Sequence, residues 1–255
     1  MGLVAAKLDG RAAAATLRRT LPRGQSLVVC RNAAHLDRTM HTRLLDAVVV
    51  GTRVARGLDL SAIRCGFPRL PLVVYGVFRA DDGPRALELD RLGVAALAIE
   101  GVDDPIVGDR VDRVSLTRRR LEALREAPRL LRLTERLQLD AWEVLVRAAG
   151  RPPATGALAK RLGVSREHLS RQFGAGGAPN LKRAMDFLRA TVAHELLGNP
   201  ACPPLVTARL LGYSTAAHLR AVVRRVVRLP LGELARTSIP ELLRRFHRSG
   251  MRARG

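Results

Sequence analysis

The segment LAKRLGVS at 158–165 recurs as TARLLGYS at 207–214, and this duplication decides the fold of the second half of the chain. Alanine, leucine, glycine and serine are each displaced by 49 positions, while the His-Leu pair at 168–169 recurs 50 positions later, at 218–219. Each copy has the pattern of a short helix, a glycine-containing turn, a serine helix cap and a second helix. The sequence therefore predicts two helix-turn-helix units.

The second helix of each predicted unit carries polar residues that suit a nucleic-acid contact. In the first copy Leu162, Leu169 and Phe173 supply an apolar side, which leaves the other side free to enter a major groove, where arginine binds guanine and hydroxyls bond to bases or phosphates. A solvated charged face is the alternative interpretation. The second copy offers arginines among alanines, so we expect the first unit to read bases and the second mainly to contact phosphates. The predicted DNA-binding residues are Ser165, Arg166, Glu167, Ser170 and Arg171 in the first unit, and Thr215, Arg220, Arg224 and Arg225 in the second.

The same region resembles a known family of DNA-binding domains. With LGVSREHLSRQF at 162–173, and with the duplication at the observed spacing, about residues 139 to 236 closely resemble the AraC-type DNA-binding domain. The resemblance implies seven helices in two helix-turn-helix units, joined by one long helix from about residue 180 to 197. It also implies that the recognition helices, 165–173 and 215–225, enter successive major-groove segments on one face of the DNA. The second unit departs from the family, because Arg228 stands where the family carries a glycine, and Leu-Pro follows instead of Ser-Pro.

The charge of the chain is concentrated in this half. The whole sequence has 44 basic and 23 acidic residues, a net charge of +21, and all but three of the basic residues are arginine. Residues 1–110 carry a net +4, whereas 111–255 carry +17. Such a basic half favours a polyanionic partner, with double-stranded DNA ahead of an anionic membrane surface. An apolar content of 47% excludes a wholly disordered chain.

The first half has a different pattern. Short apolar or β-prone runs lie at 3–6, 26–30, 47–50, 72–75 and 95–99, and the stretches between them have helical periodicity. Continuous apolar strands that alternate with helices imply a parallel sheet covered on both faces. The predicted fold class is therefore α/β plus all-α: a (βα)5 domain with a parallel sheet, followed by the seven-helix double helix-turn-helix domain.

In the order and spacing of its strands, the first half resembles a response-regulator receiver domain. The resemblance covers residues 1–108 and includes LDAVVV at 45–50 and FPRLPLVV at 67–74. That family places a phosphate-accepting Asp after the third strand, an acidic pair after the first, a Ser or Thr after the fourth and a Lys after the fifth. The matching positions here hold Gly51, then Lys7 and Leu8, then Gly76, and then Glu100 or Gly101.

None of the groups required for phosphorylation is present at those positions. Without the carboxylate no acyl phosphate forms, and without the acidic pair there is no Mg²⁺ site. The resemblance therefore implies a pseudo-receiver that works through protein contacts or an unknown ligand. A packing module without signal input is the alternative.

Two basic segments complete the predicted domain organisation. Residues 109–137 are predicted to form a helical linker, which Pro128 should break. Its leucines, among them Leu124 and Leu131, either pair between the protomers of a homodimer or pack on their own domains. Residues 138–240 form the predicted DNA-binding domain, and 241–255 form a basic tail that contacts the DNA backbone or ends in solvent.

The sequence predicts a transcription regulator and not an enzyme. The histidines have no metal-ligand spacing, no phosphate-binding glycine loop or nucleophile elbow occurs, and no cofactor is expected. Three distant cysteines favour a reducing, cytoplasmic location, and neither a signal-like N-terminus nor a spanning segment is seen. The expected partners are double-stranded DNA and, through the first domain, RNA polymerase or another protein. The alternative function is a signalling adaptor whose basic half docks on an acidic protein and binds DNA only nonspecifically.

Overall fold

The computed structural model of the protein describes residues 2–251 and divides the chain into two compact units. The first unit contains the residues up to Arg119 together with 199–201, and the second contains the rest. None of the described helices combines the length and the apolar character needed to cross a membrane.

The first unit is built on a parallel five-stranded sheet, as predicted. Its strands are β1 (Gly2–Lys7), β2 (Gln25–Val29), β3 (Ala47–Val50), β4 (Leu72–Gly76) and β5 (Ala96–Ile99). They are arranged in the order β2-β1-β3-β4-β5, and every neighbouring pair is parallel. This is the doubly wound order in which ligand chemistry belongs at the carboxyl ends of the central strands.

Helices cover both faces of this sheet. They are α1 (Arg11–Thr20), α2 (Ala33–Thr42), α3 (Thr52–Gly57), α4 (Leu60–Gly66), α5 (Gly83–Arg91) and α6 (Val107–Val114). Helices α1 and α6 contribute Leu17, Val107 and Val111 to a core that also contains Val4 and Val49 of the sheet, and all five side chains are fully buried.

Helix α6 shows where the predicted boundary at residue 108 differs from the structure. Val107, Val111 and Val114 have the i, i+4, i+7 spacing of a buried helical stripe, and all three pack in the core of the first unit. Gly108 lies so close to the carbonyl oxygen of Thr20 that a Cβ atom would overlap it. The first unit therefore continues beyond 108, and the predicted linker 109–137 is divided between the two units.

The second unit is entirely helical among its described residues. After α7 (Leu116–Ala123), which spans the boundary, come α8 (Ala127–Leu130), α9 (Arg136–Arg147), α10 (Thr155–Arg161), α11 (Arg166–Phe173), α12 (Leu181–Leu197), α13 (Pro204–Leu210), α14 (Ala216–Val227), α15 (Leu231–Leu234) and α16 (Ile239–Met251). The seven helices α9 to α15 of this described part match the predicted number. The long helix α12 lies where the sequence predicted it.

Three of the seven leucines of the predicted linker, Leu124, Leu131 and Leu133, are buried, and the other four are half-buried. Leu124 and Leu131 are only 2% and 3% exposed, so they pack on their own domain and are not free to pair between protomers. Pro128 lies in the first turn of α8, where its missing N–H breaks no helical hydrogen bond. A homodimer stays a prediction, without support from these leucines.

The predicted basic tail is a packed helix over its described part. In α16, Leu242, Leu243 and Phe246 are buried, and the Phe246 ring stacks on Phe187 of α12 with centroids 4.4 Å apart. Glu241 forms ion pairs with three arginines of this helix, and the hydrogen bond from Arg244 is the main cause that holds the pKa of Glu241 below its usual range. The DNA-backbone contacts predicted for 252–255 lie outside the described residues.

Candidate nucleic-acid interface

The two helix-turn-helix units have matching backbone geometry. In the first, the N–H of Val164 donates to the carbonyl of Ala159 at 3.1 Å; in the second, Tyr213 donates to Ala208 at 2.9 Å. Each turn contains a glycine at positive φ, +69° at Gly163 and +81° at Gly212. The duplicated sequence therefore encodes a duplicated structure, α10–α11 and α13–α14, in which glycine supplies a conformation that other residues rarely adopt.

The caps of the two second helices explain why the repeat changes from 49 to 50 positions. Ser165 Oγ accepts a hydrogen bond from the N–H of His168 at 3.1 Å, and Thr215 Oγ1 accepts one from His218 at the same distance. The predicted serine cap of the second unit is therefore wrong, because Thr215, not Ser214, caps α14. The second turn covers 211–215 and the first 162–165, so the second is one residue longer.

A buried glutamine holds the carboxyl end of α11. Gln138 of α9 is 1% exposed, and its amide nitrogen donates to the carbonyls of Gln172 and Phe173, each at 3.1 Å. Its amide oxygen accepts from the N–H groups of Thr134 and Glu135. Gln138 therefore fixes α11 against α9, while Leu169 and Phe173, both fully buried, anchor its apolar side.

Helix α14 is tied to the central helix by an acidic residue. Asp186 of α12 is 6% exposed and accepts from Arg225 at 2.7 Å and from Arg189 at 3.3 Å. The opposite, apolar side of α14 is buried through Leu219 and Val223. Asp186 thus orients one of the predicted DNA-binding arginines, whose side chain remains 63% exposed.

All nine predicted DNA-binding residues lie on exposed positions at or within α11 and α14. They are Ser165, Arg166, Glu167, Ser170, Arg171, Thr215, Arg220, Arg224 and Arg225. Within residues 2–251, Arg225 is the one member of this set that forms an ion pair. Ser165 and Thr215 use their hydroxyl oxygens as helix caps, so their first role is to position the helices.

Sequence reasoning missed one arginine of this surface. A groove of about 730 Å³ at the carboxyl end of α14 is lined by Arg220, Arg224, Arg225, Arg228, Leu229 and Pro230. Arg228, which stands where the resembled family carries a glycine, has the left-handed conformation, with φ at +54° and ψ at +41°. The sequence signal for Arg228 was that it stands where the resembled family carries a glycine.

The carboxyl edge of the sheet in the first unit is filled by the protein's own side chains. Asp9 accepts hydrogen bonds from Thr52 Oγ1 at 3.2 Å and from the N–H groups of Arg53 and Val54 at 3.0 and 2.9 Å. A carboxylate in this position satisfies the free N–H groups at the start of α3. Sequence reasoning did not identify Asp9, because this cap comes from more than 40 residues away.

Asp9 also fills the space beside Gly51, which is the residue at the position of the phosphate-accepting aspartate in the resembled receiver family. A Cβ atom on Gly51 would overlap the Asp9 carboxylate and lie 2.7 Å from the Asp9 backbone nitrogen. On Gly76 it would lie 2.7 Å from Thr52 Oγ1 and 2.9 Å from the Thr52 nitrogen. Both positions therefore lack the reactive side chain and the room for one.

Comparison with known proteins finds only a weak structural similarity. No protein-family model and no curated protein matches the chain. Among solved structures it is similar to full-length FixJ from B. japonicum, with 15% identity and a TM-score of 0.38, over 89% of this chain and 98% of that one. A likeness this weak carries no argument about function. The receiver-like character of the first unit rests on its five parallel strands and their order.

We expect acetyl phosphate or beryllofluoride, each with Mg²⁺, to leave the protein unchanged. The physical reason is the missing acceptor carboxylate at Gly51 and the capping role of Asp9. Intact mass, melting temperature and DNA affinity should match those of untreated protein. A stable adduct on any carboxylate with altered DNA binding would overturn the pseudo-receiver assignment.

Proposed function

We propose that the protein is a sequence-specific DNA-binding transcription regulator of AraC type. Helix α11 reads bases, α14 mainly contacts phosphates, and the first unit is a regulatory or interaction domain that works without phosphorylation. The observation that carries the proposal is the pair of matching helix-turn-helix units, each with an exposed, arginine-bearing second helix.

The exposed side of α11 has the chemistry needed for base recognition. Arg166 lies in the first turn and Ser170 one turn later, so both are on one face, with Arg171 beside them. In helix-turn-helix proteins the amino-terminal residues of the second helix contact base edges. Neither Arg166 nor Arg171 forms an ion pair with a described residue, which leaves each guanidinium available to bind guanine in a bidentate manner.

The exposed side of α14 has charge but few groups that distinguish bases. Ala217 and Ala221 are exposed and have no hydrogen-bonding side chain, and Thr215 is engaged in the cap. Arg220 and Arg224 lie one turn apart. Such a surface supports affinity for the DNA backbone, which is largely independent of sequence.

The two helices should therefore respond differently to arginine removal. On a duplex selected from a random pool, Arg166→Ala or Arg171→Ala should weaken binding by about 1 to 3 kcal/mol and relax preference at one position. Arg224→Ala should weaken all sequences by similar factors and reduce the slope of log K against log salt by about 0.9. Fluorescence anisotropy titrations at several salt concentrations measure both quantities.

Circular dichroism and melting should stay near wild type, because these side chains are exposed. If Arg166→Ala and Arg171→Ala both weaken selected and scrambled duplexes equally, α11 does not read bases. The adaptor that docks on an acidic protein would then be favoured.

A further inference from the structure

The carboxyl end of α14 carries an arginine in a backbone conformation that favours glycine. Arg228 is one of two non-glycine residues at positive φ within 2–251, and its N–H donates to the carbonyl of Arg224 at 3.1 Å. Helices commonly end in this left-handed conformation, and glycine is the usual residue there because it has no Cβ atom. An arginine at this position is therefore held at a cost in stability.

Arg228 extends a row of like charges. Arg220 and Arg224 lie four residues apart in α14, the spacing at which helical side chains are neighbours and like charges repel, and Arg228 follows four residues later, just after the helix ends at Val227. None of the three forms an ion pair with a described residue. Other exposed arginines of the second unit do have acidic neighbours at this spacing, as in the pairs Arg136–Asp140 and Arg147–Glu143.

The helix dipole accounts for only part of this arrangement. Cations near a helix carboxyl terminus are stabilised by the partial negative charge of the free carbonyls. That effect favours Arg224 and Arg225, which lie in the last turn of α14. The dipole also attracts the Arg228 guanidinium, but this effect is smaller than the cost of a left-handed backbone at a non-glycine residue.

The row lines a groove together with two apolar residues. Leu229 is 4% exposed, and Pro230, which follows it, is exposed. Arg225 also lines the groove, and it is already tied to the buried Asp186, so its charge is partly neutralised. The uncompensated charge of the groove therefore belongs to Arg220, Arg224 and Arg228.

We propose that Arg220, Arg224 and Arg228 form a phosphate clamp that holds one DNA strand, and that the left-handed conformation of Arg228 is retained because it closes this clamp. The row is about 12 Å long, which suits a short run of phosphates on one strand. Arginine binds phosphate through paired donors, which a glycine at the helix end does not provide. The inference rests on the proposed function, since it takes DNA as the ligand.

The test uses the full chain, a duplex of about 24 base pairs of arbitrary sequence, and the variant Arg228→Gly. Glycine relieves the backbone strain, so the melting temperature should rise by about 2 °C. Affinity at about 150 mM salt should nevertheless fall by about fivefold, and the slope of log K against log salt should decrease by about 0.9, because one phosphate fewer is neutralised. Arg132→Gly is the matched control, because Arg132 is exposed, also has positive φ (+56°) and lies outside the groove.

Arg132→Gly should raise the melting temperature similarly and leave the salt slope unchanged. If the wild-type chain binds the duplex but Arg228→Gly keeps the full slope, or if both variants lower the affinity equally, the clamp is overturned and the proposed function stands. If the wild-type chain binds neither this duplex nor one selected from a random pool, the proposed function itself fails, and the clamp with it.

Discussion

Glu195→Gln should lower the free energy of unfolding of the second unit by about 3 to 5 kcal/mol. Arg120 and Glu195 are 4% and 6% exposed, and they form a bidentate ion pair, Nε to Oε1 at 2.9 Å and Nη2 to Oε2 at 2.6 Å. Arg120 also donates to the carbonyl of Val146 at 3.3 Å. Glutamine keeps the size of the side chain and removes the negative charge that pairs with the buried guanidinium.

Urea unfolding followed through Trp142 measures this effect. Trp142 is the single tryptophan of the chain, is 5% exposed and lies in the second unit, so its fluorescence reports that unit. Glu122→Gln is the control, because Glu122 and its partner Arg125 have side chains 73% and 70% exposed, and the destabilisation should stay below about 1 kcal/mol. Equal destabilisation in the two variants would contradict the structural role given to the buried pair.

The double variant Arg120→Met/Glu195→Leu extends this test. Apolar residues of similar volume often replace a buried ion pair without destabilisation, because no charge then needs compensation. We expect the double variant to regain most of the stability that Glu195→Gln removes. A double variant as unstable as the single one would show that packing, not uncompensated charge, controls this region.

Gly51→Asp should destabilise the first unit by about 3 kcal/mol and should not create a phosphorylation site. The new Cβ atom would overlap the Asp9 carboxylate and approach the Asp9 backbone, so Asp9 must move and α3 must lose its cap. Overpacking a filled site and removing a helix cap each cost about 1 to 3 kcal/mol. Hydrogen exchange of peptides that cover 47–76 measures the local destabilisation.

The control for this substitution lies elsewhere in the first unit, at Gly10. This residue has an extended backbone with φ at −148°, nothing lies within 4 Å of a Cβ atom there, and it is the N-cap of α1. Gly10→Asp should therefore be neutral or slightly stabilising, because aspartate is a preferred N-cap residue. If Gly51→Asp is as stable as Gly10→Asp and takes up phosphate from acetyl phosphate, Asp9 does not prevent a side chain at residue 51 from being accommodated and phosphorylated.

Most of the fold could be predicted from local patterns. The ends of the five strands lie within one residue of the predicted runs, since buried parallel strands are continuous and apolar. Helices α6 and α16 were missed as packed elements because their buried residues, such as Val111 and Phe246, lie among many charged ones. Their apolar residues do have helical spacing, Val107, Val111 and Val114 in α6 and Leu242, Leu243 and Phe246 in α16, and this spacing was the available signal.

The site could be predicted only in part. The repeated turn and the exposed arginines of α11 and α14 follow from local sequence. The residues that position these helices act across the chain: Gln138 binds carbonyls 34 and 35 residues away, and Asp186 binds Arg225 from 39 residues away. Such contacts leave no periodic signal. The shift of the second cap from Ser214 to Thr215 was visible only as the change from 49 to 50 positions.

Sequence-specific DNA binding can be tested by selecting duplexes from a random pool with the full chain. Affinity is then measured for the selected sequence and for a scrambled one at about 150 mM salt, where nonspecific binding is weak. We expect the selected duplex to bind about a thousandfold more tightly than the scrambled one, the lower end of specific recognition. Equal affinities, with the same dependence on salt, would contradict sequence-specific binding.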